Sequence, residues 1–139
     1  MEENLSRAEQ AVAWHHAAMH NNCAQSVLLA FQDFFTKSTE ELRALGAGFG
    51  MGMGGTEATC GALSGACIVL GLLGKGQQPV SREMNNILQA FKQQCGATIC
   101  GELKGVKTHT VLCSCDDCIR CAVEELEKRI QTEPVKYDL

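Results

Sequence analysis

"CGALSGACIVLGLLG", residues 60–74, is the segment whose packing decides the fold of this chain. Its first half is rich in small residues that lie close to one face of a helix, namely Gly61, Ala62, Gly65 and Ala66. A face without large side chains lets a neighbouring backbone come near. We therefore expect a helix over 59–73 that packs tightly against another helix, whatever the function of the protein is.

Helix-start signals recur along the rest of the chain, whereas strand signals are few. Ser6 and Ser38 are each followed three residues later by glutamate, which is the capping-box spacing, and Ser114 has an aspartate at the same distance. Further residues placed to cap helices are Asn21 or Asn22, Thr56 or Thr59, and Ser81. The predicted helices are 6–20, 22–36, 38–46, 59–73, 81–95 and 115–131. We expect an all-α fold, a compact bundle of about five to six helices in a single domain over residues 1–139.

A glycine-rich loop precedes the helix at 59–73. It reads "GAGFGMGMGGTEATC" and holds six glycines between Gly46 and Gly55. So many glycines indicate positive φ angles or backbone that must approach another group closely. No Gly-Lys-Ser/Thr follows and no strand precedes, so neither the phosphate-binding loop nor the dinucleotide fingerprint fits. Nucleotide binding is not expected.

Composition argues against two classes of partner. The net charge is −4 and the positive charges are scattered, whereas nucleic acids and anionic membranes require clustered Lys and Arg. The longest apolar stretch, Ala66–Gly74, is too short to cross a bilayer. The N-terminal segment "MEENLSRAEQ" lacks the basic and apolar regions of a secretory signal, so we expect a cytoplasmic protein.

The chain has nine cysteines, and this number demands an explanation. Structural disulfides are rare in a reducing compartment, where dense cysteine favours metal binding or redox chemistry. An odd number also cannot pair completely within one chain. Buried cysteines that act as small hydrophobic residues would account for one or two of them but poorly for nine.

Three of the cysteines fall at predicted helix N-termini: Cys23, Cys60 and Cys115. A helix N-terminus offers unpaired N–H groups and a partial positive charge, which stabilise anions. For a thiol this lowers the pKa and increases the thiolate fraction. Thiolates are the nucleophiles of disulfide exchange and the ligands of soft metals, so the placement supports both chemistries.

The segment "CSCDDCIRC", residues 113–121, contains four of the cysteines. Its Cys115-x-x-Cys118-x-x-Cys121 spacing is similar to a run in iron–sulfur ferredoxins, but the fourth cysteine of that run is missing. On a helix the three positions drift slowly round one side. Cys118 and Cys121 are therefore equally compatible with a place in the core.

Four segments together resemble a family of small redox-active proteins that is labelled by the cysteine pattern C-GCAxxG-C-C. They are "NNCAQSVLLAF", "GAGFGMGMGGTEATCGALSGA", "GATICGELKG" and "CDDCIRCAVEELEKRI", and the resemblance runs from about Asn22 to Ile130. The hallmark C-G-A-x-x-G is matched in full by Cys60–Gly65. The resemblance implies four functional cysteines, Cys23, Cys60, Cys100 and Cys115, with Cys118 as the alternative to Cys115. A related domain forms the core of split-Soret cytochromes, which implies an iron–sulfur site.

The leading hypothesis is an iron–sulfur protein for electron transfer or redox sensing, with Cys23, Cys60, Cys100 and Cys115 as ligands. Cys67, Cys95, Cys113, Cys118 and Cys121 are secondary candidates for this or another site. A metal-free thiol–disulfide protein is the alternative, with Cys60 as the nucleophile and Cys115 or Cys118 resolving the disulfide.

Two further hypotheses stay open: a zinc-stabilised interaction module, and cysteines that merely fill the core. We expect a redox partner protein of unknown identity, and the small-residue helix face is also suited to a homodimer. The sequence assigns no catalytic reaction.

Overall fold

The computed structural model describes residues 5–77 and 79–130, and these ranges are predominantly helical. Their α-helices are Arg7–His15 (α1), Cys23–Ala30 (α2), Thr39–Gly46 (α3), Gly61–Leu73 (α4), Ser81–Cys95 (α5), Cys100–Lys104 (α6) and Cys115–Arg129 (α7). A 3₁₀ turn at Gln32–Phe34 and an irregular turn at Gly52–Thr56 complete the regular structure. An isolated β-bridge pairs Thr59 with Ile99. The predicted all-α bundle is confirmed.

Four helices begin where the sequence predicts a cap. The side chains of Ser6, Asn22, Ser38 and Ser114 each accept a hydrogen bond from the backbone N–H three residues later. At Asn22 and Ser38 the bond is reciprocated, which completes a capping box. Such a cap stabilises a helix by about 1 kcal/mol, so these starts are determined locally.

The caps predicted for α4 (Thr56 or Thr59) and for α5 (Ser81) are wrong. Thr56 has a left-handed backbone and donates to the Gly55 carbonyl, and Thr59 forms the bridge to Ile99, so neither caps α4. The position that precedes α4 is occupied by Cys60 instead. Ser81 lies one residue inside α5.

Helices α1 and α2 are shorter than the predicted 6–20 and 22–36. The carbonyl of Trp14, near the end of α1, accepts a hydrogen bond of 2.8 Å from the Asn21 side chain, which lets the chain leave the helix. At the end of α2 the Ala30 carbonyl accepts one of 2.6 Å from Arg7. Tertiary bonds thus replace the helical bonds that would continue each helix. The predicted end of the last helix, residue 131, lies outside the described residues.

Helix α2 lies at the centre of the bundle. All eight of its residues are buried, and it packs against α1, α3, α4 and α7. The contact with α4 is very close: a Cβ atom added at Gly65 would lie 2.8 Å from the Ala24 carbonyl oxygen. The tight helix pair expected from residues 60–74 is confirmed. No helix in the described part of the chain has the length and hydrophobicity needed to cross a membrane.

The close contact predicts opposite effects for two glycines of α4. Gly65→Ala should destabilise the protein by about 1–3 kcal/mol, since a methyl group there forces α2 and α4 apart. A Cβ atom added at Gly71 would point into open space, with no neighbouring side chain or segment within 4 Å, so Gly71→Ala is the matched control. It should stabilise the protein by up to about 1 kcal/mol through helix propensity alone. Urea unfolding under reducing conditions measures both, and equal effects of the two substitutions would refute close packing as the role of Gly65.

Candidate metal and redox site

Four helix starts converge on one region of the bundle. Cys23, Cys100 and Cys115 are the first residues of α2, α6 and α7, and Cys60 immediately precedes α4. The helix-start positions predicted for Cys23, Cys60 and Cys115 are confirmed. The position of Cys100 could not be foreseen because the five-residue helix α6 has no cap signal and was not predicted.

The bridge between Thr59 and Ile99 brings the second and third of these cysteines together. The Cys60 N–H donates to the Thr98 carbonyl at 2.8 Å, and the Cys100 N–H donates to the Ala58 carbonyl at 2.9 Å. Two segments that are 40 residues apart in the sequence therefore run side by side as each approaches its helix. This short pairing fixes both backbones where the thiols emerge.

The glycine-rich loop packs against the same region. Its residues Met51–Gly54 all have positive φ angles, a conformation that glycine adopts readily and methionine rarely. A Cβ atom added at Gly52 would lie 2.7 Å from the Cys100 Cβ, closer than real side chains approach each other. The glycines thus serve both purposes expected of them, since the backbone turns left-handed and lies directly on the Cys100 side chain.

The thiols at these helix starts meet in pairs. The Cys23 and Cys115 side chains interact with each other, and the Cys60 side chain interacts with that of Cys118 in the first turn of α7. The Cys118 thiol donates to the Cys113 carbonyl at 3.9 Å. Cys100 lies near Cys60 and Cys115 and interacts with them electrostatically. All nine cysteines of the chain are free thiols. We call the region the inner site and define it by Cys23, Cys60, Cys100 and Cys115.

One lysine lies among these sulfurs. The Lys104 ammonium hydrogen-bonds the Cys115 sulfur, lies 3.7 Å from the Cys118 sulfur and donates to the Cys113 carbonyl at 3.1 Å. Partial burial works against its charge, but the neighbouring Cys118 and Cys115 outweigh this and raise the pKa of Lys104. Sequence reasoning missed this residue. The sequence contains one indication of it: Lys104 follows Cys100 by four residues, a spacing that places both side chains on one face of a helix.

The pKa values show where negative charge collects. The hydrogen bond from Cys23 and the charge of Lys104 overcome partial burial and lower the pKa of Cys115 to about 5. A hydrogen bond from Cys118 lowers the pKa of Cys60 to about 7, although burial opposes it.

The peptide N–H groups of Ala62 and Leu63 also lower the pKa of Cys60, without forming a capping bond of regular geometry. Cys23 and Cys118 have raised pKa values, because each keeps its proton beside a neighbouring cysteine, Cys115 and Cys60 respectively, and because burial disfavours a second thiolate. Two pairs of interacting cysteines, Cys23 with Cys115 and Cys60 with Cys118, therefore lie beside one ammonium group.

The remaining cysteines divide into a second group and one isolated thiol. The sulfurs of Cys95, Cys113 and Cys118 all lie within 4.8 Å of one another, which is close enough to hold a metal ion. The Cys95 thiol also donates to Cys121. We call these four residues the cleft site, because Cys95, Cys113 and Cys121 line a surface cleft of about 450 Å³. Cys67 is exposed on α4 and belongs to neither site.

The role of Lys104 can be tested on the reduced, metal-free protein. Lys104→Gln should raise the pKa of Cys115, since it removes a positive charge that favours the thiolate. The Cys115 thiol has a pKa of about 5, so the test uses pH 4, where each unit of increase in the pKa lowers the thiolate fraction about tenfold. Alkylation of Cys115 by iodoacetamide at that pH should slow by about tenfold for each unit. Peptide mass analysis follows the reaction at each cysteine. Lys107→Gln, an exposed lysine outside the site, is the control, and equal rates in both variants would contradict the assignment.

Comparison with known proteins places the chain in a family. The model for the "putative redox-active protein (C_GCAxxG_C_C)" family matches residues 21–129, a range that includes every cysteine of the inner and cleft sites. Searches of curated proteins and of solved structures gave no significant match. The relation to split-Soret cytochromes therefore stays a prediction. The family match extends over most of the chain and includes the Cys60–Gly65 motif, so this protein belongs to the C_GCAxxG_C_C family.

Proposed function

We propose that the inner site carries an iron–sulfur cluster, with Cys23, Cys60, Cys100 and Cys115 as its ligands, for electron transfer or redox sensing. The observation that supports this most strongly is the convergence of these four thiols, from four separate helix starts, beside the partly buried ammonium group of Lys104. The redox-active character of the family favours iron over zinc, since zinc has no redox chemistry.

The donor set and its surroundings suit an anionic centre. Iron–sulfur clusters are held by cysteine thiolates, and two of the sulfurs at the inner site, those of Cys60 and Cys115, already have lowered pKa values. Buried negative charge is costly unless positive groups compensate it. Here Lys104 and the N-terminal ends of the longer helices α2, α4 and α7 supply that compensation.

A bound cluster would supply a one-electron couple, and the chain sets its conditions. Cys23, Cys60 and Cys100 are each no more than 7% exposed, so water has little access to most of the site. Lys104 favours the state with the greater negative charge, which is the reduced one, and therefore raises the reduction potential. The close contact at Gly52 holds the Cys100 side chain in place.

A metal-free thiol–disulfide function is the second candidate. The observation in its favour is the interaction between the side chains of Cys23 and Cys115. The Cys115 thiolate would attack a disulfide of a partner protein and release one partner thiolate. Cys23, once deprotonated, would then attack the mixed disulfide and release the second. The products are a Cys23–Cys115 disulfide and a partner dithiol, so two electrons pass to the partner. Cys115 is less buried than Cys60, so a partner disulfide reaches it more easily, and its pKa of about 5 keeps it ionised at neutral pH.

The proposed function also requires a partner for electron transfer. A one-electron centre requires a redox partner protein, and we expect one without assigning its identity. The cytoplasmic location and the possible homodimer stay predictions from the sequence.

Anaerobic purification followed by iron and sulfide analysis tests the cluster. We expect both elements in the protein and visible absorption that bleaches on reduction. Cys60→Ser and Cys115→Ser should each remove most of the bound iron, because each deletes a ligand. Cys67→Ser is the matched control and should retain it, since Cys67 lies outside both sites.

Three results would contradict the cluster. A colourless protein that stays iron-free after reconstitution would exclude it. Zinc as the sole metal at the inner site would indicate a structural role. Loss of two hydrogens from the Cys23 and Cys115 peptides, reversed by a thiol reagent and without bound iron, would establish the disulfide function.

A further inference from the structure

We infer that the cleft site binds one divalent thiophilic ion of the Zn²⁺ class, separately from the inner site. Its residues are Cys95, Cys113, Cys118 and Cys121. The resemblance that assigns the four functional cysteines leaves Cys95, Cys113 and Cys121 without a role. The inference rests on the geometry of these side chains and does not depend on a cluster at the inner site.

Three of the sulfurs are nearly at coordination distances. In a tetrahedral zinc site the Zn–S bonds are about 2.3 Å long, so the sulfurs lie about 3.8 Å apart. The sulfurs of Cys95, Cys113 and Cys118 lie within 4.8 Å of one another, so a contraction of about 1 Å or less is enough. The three residues come from the end of α5, the loop before α7 and the first turn of α7. The Cys113 N–H donates to the Leu103 carbonyl at 3.3 Å, which anchors the loop residue.

Cys121 is placed to be the fourth ligand. It lies one helical turn after Cys118 on α7, and its sulfur accepts a hydrogen bond from the Cys95 thiol. Its own thiol donates to the Gln94 side-chain oxygen at 3.3 Å. Deprotonation on metal binding breaks that last bond. Gln94 keeps a partner, because its amide donates to the Glu125 carboxylate at 2.8 Å.

The surroundings provide an entry path and compensating charge. The cleft of about 450 Å³ gives an ion access to Cys95, Cys113 and Cys121, and fully buried Cys118 forms the inner end of the site. Four thiolates around a divalent ion carry a net charge of about −2. The Lys104 ammonium, 3.7 Å from the Cys118 sulfur, offsets part of it. Arg120 also lines the cleft, but its charge is already paired with Glu9 and Asp117.

Binding is an exchange of protons for metal without a change of oxidation state. The ion forms four metal–sulfur bonds, four S–H bonds break, and the protons go to the solvent. The bound ion would link the end of α5 and the loop before α7 to α7 through its sulfur ligands. It also removes the Cys118 proton, so the ion changes the charge of a residue that interacts with Cys60 of the inner site.

Cobalt titration of an inner-site variant tests the inference. The double variant Cys23→Ser/Cys60→Ser, reduced and metal-free, should bind one Co²⁺ per chain and show the visible spectrum of tetrahedral thiolate-bound cobalt. Stoichiometric Zn²⁺ should abolish that spectrum. Adding Cys95→Ser or Cys113→Ser should remove the binding, whereas adding Cys67→Ser should leave it unchanged. If circular dichroism shows that the double variant is unfolded, Cys100→Ser/Cys115→Ser replaces it.

The outcomes separate this inference from the proposed function. Absence of stoichiometric cobalt in a folded inner-site variant would overturn the cleft site, and so would binding that survives Cys95→Ser and Cys113→Ser. If the wild type stays free of iron after reconstitution and the inner-site variant binds one cobalt ion at the cleft, the cleft site is supported and the inner cluster is excluded. If the inner cluster can be reconstituted but no cobalt binds at the cleft, the proposed function is supported and the cleft site is overturned.

Discussion

The close approach of α2 and α4 is the constraint on which the rest of the structure depends. A Cβ atom added at Gly61 would lie 3.3 Å from the Cys23 Cβ, and one added at Gly65 would lie 2.8 Å from the Ala24 carbonyl oxygen. Because both glycines lack side chains, the first turns of the two helices can lie side by side. The same contact makes neighbours of Cys23 and Cys60, which are 37 residues apart. Glycine in the Cys60–Gly65 motif thus acts on the site through backbone packing.

Electrostatics then distributes the protons among the assembled thiols. Lys104 is the cation at the centre of this distribution, and it interacts with cysteines of both sites. Burial acts in the opposite direction, since desolvation raises the pKa of the buried Cys95 thiol. Beside Lys104, and with a thiol donor available, Cys115 and Cys60 lose their protons more readily. One short helix, α6, supplies both this lysine and Cys100, which explains why such a small element matters for the chemistry.

Cys118 connects the two sites. Its side chain interacts with Cys60 of the inner site, and its sulfur lies within 4.8 Å of the sulfurs of Cys95 and Cys113 of the cleft site. The alternative that the sequence leaves open, Cys115 or Cys118 as the fourth functional cysteine, therefore has a structural cause. Both lie beside the inner site, but Cys118 also has partners on the other side of α7. Loss of a proton from Cys118, or binding of a metal ion to it, would therefore change its interaction with Cys60.

The sequence by itself determined the features that depend on neighbouring residues. The helical class, the caps at Ser6, Asn22 and Ser38, and the helix-start positions of Cys23 and Cys115 follow from bonds between residues three positions apart. Only the tertiary structure decided which thiols share a site. Cys95 and Cys113 are separated by 18 residues, and they meet because α5 packs on α7. The ends of α1 and α2, helix α6 and the place of Lys104 likewise depend on contacts between distant segments. Local hydrogen bonds are encoded by adjacent residues, whereas the grouping of nine similar thiols is determined only when the helices pack.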